Sequence, residues 1–171
     1  MKIYIGCGLT HVPRGKTFEE HTGFIHTLAD QLKEAGHEVT YALVNSDPQL
    51  ARKPFNERAK LCYLWDRNMV EAADLLIAEA SFPSTGLGIE MQIAETRGTP
   101  IIVCVRDFGF NKVTPVRYEN PDHTEHDLQI GDGFVTLMAL GVPTIFRVVN
   151  YVDPADGLRQ VMAVMSLLQQ S

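Results

Sequence analysis

The chain has 171 residues, with 15 Lys and Arg against 21 Asp and Glu, a formal net charge of −6. An apolar share of 45% is enough to build a real core, and the length favours one domain over two. An acidic pI near 5.4 argues against a nucleic-acid polymer or an anionic membrane as partner, because both need clustered Lys and Arg. Three scattered cysteines, Cys7, Cys62 and Cys104, form neither a metal-type pair nor a disulfide framework, which suits a reducing cytoplasm. The opening run Met1–Ile5 lacks the basic start, apolar run and cleavage site of a signal peptide, and no stretch approaches a membrane span. A soluble cytoplasmic location is expected.

In chain order, the first β-rich run is Ile3–Ile5, closed by Gly6-Cys7-Gly8. Apolar residues at helical spacing follow (Phe18, Phe24, Ile25, Leu28, Ala29, Leu32), up to the stop at Gly36. A second strand is expected over Glu38–Val44. Phe55–Ala73 reads as a long helix with Leu61, Leu64, Trp65, Met69 and Ala72 on its inner side. Leu75–Ala80 and Ile101–Val105 are nearly continuous apolar runs, as strands covered on both faces should be. Ile89–Thr96 between them predicts a short helix ending at Gly98. Phe134–Leu140 predicts another, and Thr144–Val149 a fifth strand. Asp153 as N-cap with Pro154 at the first helical position opens the last helix. Strands alternating with helices predict right-handed crossovers. The expected fold is therefore a single-domain α/β sandwich over 1–171, flavodoxin-like (Rossmann-like), with a five-stranded parallel sheet. The polar, Pro/Gly-rich stretch at about 107–132 reads as a long loop insertion.

Ligands of open α/β sheets bind beyond the carboxyl ends of the strands. Two segments there carry chemistry. The first is Gly6-Cys7-Gly8, followed by Arg14 and Lys16, which can add charge-assisted bonds to a phosphate. In the second, Ser84, Thr85, Gly86 and Gly88 form a turn ahead of a helix, a place where free backbone N–H groups hold phosphate. It is neither a Walker A nor a Gly-x-Gly-x-x-Gly sequence. Glu90, placed in the first helical turn, has a plain explanation too, since a carboxylate there favours the helix dipole.

The stretch Asp66-x7-Asp74-Leu-Leu-Ile-Ala-Glu-Ala-Ser-x-Pro-Ser-x-Gly-x-Gly-x-Glu90 resembles the nucleoside 2-deoxyribosyltransferase-like superfamily. The similarity is greatest to its nucleotide N-glycosidase branch, the 2'-deoxynucleoside 5'-phosphate N-hydrolases and CMP hydrolases. Tyr4-Ile5-Gly6-Cys7-Gly8 is similar to the superfamily's opening strand and loop. The resemblance implies that Glu90 attacks the anomeric carbon and that Asp66 orients or protonates the leaving base. It also implies that Ser84, Gly86 and Gly88 receive the 5'-phosphate. A carboxylate beneath C1' suits this reaction, because breaking the C1'–N bond builds oxocarbenium charge. Val135–Gly141 resembles a later helix of the family, which would make Thr136 a phosphate contact contributed by a neighbouring subunit. A homodimer or higher homo-oligomer is implied.

The expected activity is hydrolysis of the N-glycosidic bond of a ribo- or deoxyribonucleoside 5'-monophosphate, with no cofactor and no metal. A base-exchange deoxyribosyltransferase, acting on a nucleoside, is the alternative within the same chemistry. A non-catalytic nucleotide-sensing module is the alternative outside it. Asp122–Asp127 holds a His pair three apart, and an exposed polar loop accounts for it. Cys7 reads as a structural thiol and Trp65 as a core residue.

Overall fold

The computed structural model describes residues 1–45 and 50–170. Strand β1 (Lys2–Cys7) opens the chain and α1 (Lys16–Glu34) returns it to β2 (Glu38–Tyr41). A helical turn, α2 (Ala42–Asn45), a 3-10 turn at Leu50–Arg52 and the long helix α3 (Phe55–Glu71) lead to β3 (Leu75–Glu79). Then come α4 (Thr85–Thr96) and β4 (Ile101–Arg106), a small hairpin of β5 (Arg117–Glu119) and β6 (Glu125–Asp127), and the short α5 (Leu137–Leu140). Strand β7 (Ile145–Tyr151) and α6 (Pro154–Leu168) complete the fold.

The main sheet has five parallel strands in the order β2-β1-β3-β4-β7. This is the flavodoxin-like order, so the expected fold class is borne out. Its direction of winding reverses between β1 and β3, and a crevice opens there at the strand carboxyl ends.

Side chains alternate across each strand and build two cores. Ile3, Ile5, Leu75, Ile77, Ile102 and Cys104 meet Phe24, Ile25, Leu28 and Leu32 of α1 and Val161, Val164 and Met165 of α6. On the other face Tyr4, Leu76, Ala78, Ile101 and Val103 meet Val70 of α3 and Leu87, Met91 and Ala94 of α4. Asp153 caps α6 as expected, its side chain accepting the Asp156 N–H at 2.9 Å, with Pro154 at the start.

Several expectations change. Strand β2 stops at Tyr41, because Asn45 Oδ1 accepts the Tyr41 N–H at 3.0 Å and residues 42–45 coil into a helical turn. Helix α4 begins four residues before Ile89. Ser84 caps it by accepting the Leu87 N–H at 3.2 Å, which draws Gly86 and Gly88 into the helix. In α3 only Val70 is fully buried; Leu64, Trp65 and Ala72 lie exposed, since just the last turn meets the sheet. Trp65 is therefore no core residue: it is 46% exposed and donates its indole N–H to Asn45 O. The helix expected over Phe134–Leu140 shrinks to α5. The stretch 107–132 contains the β5–β6 hairpin, whose Arg117 bridges Glu125 and Asp127 at 3.3 and 3.1 Å. His123 there pairs with Glu119.

The packing asymmetry is testable. Leu28→Ala should cost about 2–5 kcal/mol in denaturant unfolding, the usual cost of truncating a fully buried leucine. Leu64→Ala should cost less than about 1 kcal/mol, as on an exposed face.

Candidate active site

The site forms where β1 ends. Tyr4 has the opposite parity to Ile3 and Ile5, so it faces α3 and α4, and its hydroxyl donates to Glu90 Oε1 at 3.1 Å. Two residues on, Gly6 presents no side chain; a methyl group there would collide with Glu90 Oε2. That oxygen is buried and has no hydrogen-bond partner among the described residues. Gly8, two residues further along, is needed for the same reason. A Cβ there would stand 2.6 Å from Ser84 Cβ, so only glycine lets the first loop lie on the start of α4.

Asp66 approaches from α3, and one turn before it the Cys62 thiol donates to Asp66 Oδ2 at 3.5 Å. Asp66 and Glu90 line one cavity of about 240 Å³ between α3 and α4, with Cys62, Tyr63, Gly86 and Ile89. Burial raises the pKa of Asp66, and the Cys62 hydrogen bond opposes that rise. Burial is also the main cause that lifts Glu90 to about 7; the Tyr4 hydrogen bond pulls it down and the Asp66 charge pushes it up. Tyr4 itself is pushed far above its ordinary range, first by burial and then by the Glu90 charge. It stays a neutral donor. The site thus holds one carboxylate with a pinned oxygen and a bare one, poised to exchange its proton near neutrality.

The other expected site residues divide. Ser84 and Gly88 line a second cavity of about 370 Å³ on the opposite side of α4, and Thr136 of the same chain lines it too, as the N-cap of α5. Within one chain, Thr136 is separated from the Glu90 cavity by the body of α4. Gly88 offers no free N–H, because that group donates to Ser84 O at 3.2 Å. The amides left over at the helix start belong to Thr85 and Gly86. Glu90 lies in the second turn of α4 rather than the first, so the dipole explanation of it loses force. Arg14 is exposed, its guanidinium 4.9 Å from the Phe18 ring centroid, and lines neither cavity. Cys7 is half-buried, with a thiol pushed up to about 12 by burial and by the Glu79, Glu90 and Asp66 charges, so it is no nucleophile near neutral pH. Among the described residues there is no cluster of His, Cys, Asp and Glu able to hold a metal, and no helix long and apolar enough to cross a membrane.

Sequence reasoning missed Tyr4 as a partner of Glu90, the Cys62–Asp66 contact, and a buried polar group around Glu79. Glu79 was legible in principle. An acid inside an apolar run read as covered on both faces must find partners.

The fold and the site together describe a doubly wound α/β protein with two carboxylates lining one cavity between α3 and α4. No family model matches the chain. Two relatives named "Putative 2'-deoxynucleoside 5'-phosphate N-hydrolase 1" align with it. The one from Methanosarcina mazei is 36% identical over 88 residues, 52% of each chain. The one from Methanosarcina barkeri is 32% identical over 101 residues, 59% of this chain and 62% of the relative. The chain spans about half the length of the first of these and somewhat more of the second. Two solved structures share the fold at 18% identity. The Clostridium botulinum CMP N-glycosidase has a TM-score of 0.56 over 95% of this chain and 98% of its own. A conserved protein from Enterococcus faecalis V583 has a TM-score of 0.63 over 95% and 97%. Over about half to three fifths of their length these curated relatives carry the name of the nucleotide N-hydrolases that the 66–90 stretch resembles.

The burial of Glu90 has a consequence for stability. Its folded pKa of about 7 lies above the ordinary 4.5, so folding favours the protonated form. That preference costs nothing below pH 4.5 and destabilises the fold progressively as pH rises from 4.5 through 7. Glu90→Gln should therefore raise stability by about 3 kcal/mol at pH 8 and by almost nothing at pH 4, read from denaturant unfolding at both values. Tyr4→Phe should move the Glu90 titration upward from about 7, followed by carboxyl-labelled NMR.

Proposed function

We propose that the protein cleaves the N-glycosidic bond of a nucleoside 5'-monophosphate, with Glu90 as nucleophile. The observation that carries this reading is the buried Glu90 Oε2, unpartnered while Oε1 is held by Tyr4, in a cavity that Asp66 shares. The name of the curated relatives supports it. In the first step Oε2 bonds to C1' as the C1'–N bond breaks, and the bonding pair leaves with the base. Asp66 orients the departing base, which takes up a proton from solvent. Water then attacks C1', its hydroxyl staying on the sugar while its proton passes to solvent and the Glu90 carboxylate is released. An acceptor base in place of water would give transfer, the alternative within the same chemistry.

The first turn of α4 is the proposed phosphate end, with the free Thr85 and Gly86 amides beside the Ser84 side chain, which caps the Leu87 amide. Glu90 follows Thr85 by five residues, about 7–8 Å of helix rise. That rise is comparable with the span from an anomeric carbon to the 5'-phosphate of its sugar. Gly6 and Gly8 then belong to the site because they leave room for Glu90 and Ser84. Arg14 belongs to this reading only as an outer phosphate contact. Assembly as a homodimer, with Thr136 reaching a neighbouring copy's site, also belongs to it. The apolar surface left uncovered by α3 at Phe55, Leu64 and Trp65 supports that assembly. A cytoplasmic setting completes the proposal.

The test is chromatographic. Ribo- and deoxyribonucleoside monophosphates and the matching nucleosides are incubated with wild type and Glu90→Ala, with and without an acceptor base. Free base should appear from a monophosphate with wild type, and fall at least about 10³-fold with Glu90→Ala. A base-exchanged product would redirect the reading to transfer, and near-wild-type turnover by Glu90→Ala would remove Glu90 from its role. The rate should rise as Glu90 ionises around pH 7, and this limb should move to higher pH in Tyr4→Phe.

A further inference from the structure

A second buried carboxylate lies on the opposite face of the sheet from Glu90. Glu79, the last residue of β3, is fully buried. The Tyr151 hydroxyl donates to its Oε1 at 3.0 Å, and the Ser81 hydroxyl donates to the same oxygen. The Ser81 N–H reaches Oε2 at 3.4 Å, and His21 Nδ1 lies 3.3 Å from that atom. A buried carboxylate is costly, and an apolar side chain would fill this space more cheaply. Its presence here calls for a task.

Ser81 indicates what that task is. Its hydroxyl also accepts the Arg106 N–H at 2.7 Å, and its carbonyl accepts Asn111 Nδ2 at 2.8 Å. The same Asn111 nitrogen donates to Arg106 O at 2.9 Å. The ends of β3, β4 and β7 and the root of the 107–132 insertion therefore meet at one residue. That residue stands three positions before Ser84. Backbone beyond a strand end has lost its ladder partners, so the irregular turn 81–84 needs other groups to hold it. Phe82 is clamped as well, its ring lying against Phe108 at 5.2 Å and the His21 edge at 5.4 Å. Glu90, by contrast, is held from the other face of the sheet by Tyr4 and Gly6.

We propose that Glu79, acting through Ser81, is a positioning residue for the phosphate end of the site. It sets the turn that places Ser84 and the first amides of α4, and leaves the attacking carboxylate to its own anchors. The inference rests on the nucleotide reading above.

The test separates the two ends of one ligand. In a Glu90→Gln background, which prevents turnover, affinities are measured by calorimetry for AMP, CMP, GMP, UMP, their deoxy counterparts and the matching nucleosides. Adding Ser81→Ala should weaken monophosphate binding about tenfold and nucleoside binding less than about twofold. Glu79→Gln should recover much of the affinity lost in Glu79→Ala, because its amide oxygen still accepts from Ser81 and Tyr151. Tyr151→Phe, a milder change that keeps the ring, should repeat the monophosphate-selective loss at about two- to fivefold. In a turnover-competent protein the same variants should raise KM for the monophosphate and leave kcat nearly unchanged. Equal losses for nucleotide and nucleoside would mark the cluster as merely structural and overturn the proposal, as would no loss at all. A wild type that binds monophosphates but leaves them intact would sink the N-glycosidase reading alone, and the affinity split would still decide the role of Glu79.

Discussion

The close approach of α4 to the end of β1 is the constraint on which the site depends. Glu90 can bring its carboxylate against the strand only because Gly6 has no side chain, and it stays there because Tyr4 donates to one of its oxygens. Burial then does the rest. Removed from water, the carboxylate is held near the middle of the pH scale rather than at its ordinary acidic value. Its second oxygen is left without a partner among the described residues. A longer side chain at position 6 would push α4 outward and return that group to solvent.

The sheet makes such an approach available. In a doubly wound order the strands β1 and β3 diverge to opposite directions of winding, and the loops that follow them separate. The first loop lies over the start of α4, where Gly8 rests on Ser84. Two carboxylates are buried at this end of the sheet and they face opposite ways. Glu90 meets a single neutral donor, and its other oxygen is buried with no partner among the described residues. Glu79 is saturated by Tyr151 and Ser81 and has the character of a structural anchor. The same residue type serves two purposes because the number of donors around it differs.

The elements legible in the sequence were those with local causes. The apolar runs of β3 and β4, the Asp153-Pro154 start of α6 and the helical period of α1 are written in neighbouring residues, and all appear in the fold. The start of α4 was misread for a local reason as well. Two glycines disfavour helix, so the pattern put the first turn at Ile89, whereas the Ser84 cap and burial of Leu87 and Met91 outweigh that preference. For α3 the period was right and the burial wrong, because periodicity says which residues share a face and not what that face meets.

The sequence alone determined the fold class and the alternation of the five main strands with helices, and it marked Asp66 and Glu90 as candidates. Strand and helix periods, caps and turn residues act over a few positions, and a motif is a string. Tertiary structure alone decided which oxygen of Glu90 is free, that Tyr4 and Gly6 prepare it, and that Thr136 lies on the far side of α4 within one chain. It also decided that Glu79, Ser81 and Tyr151 join. These contacts link residues up to 86 positions apart, as Tyr4 and Glu90 are. Such contacts exist only once the sheet has brought the strand ends together.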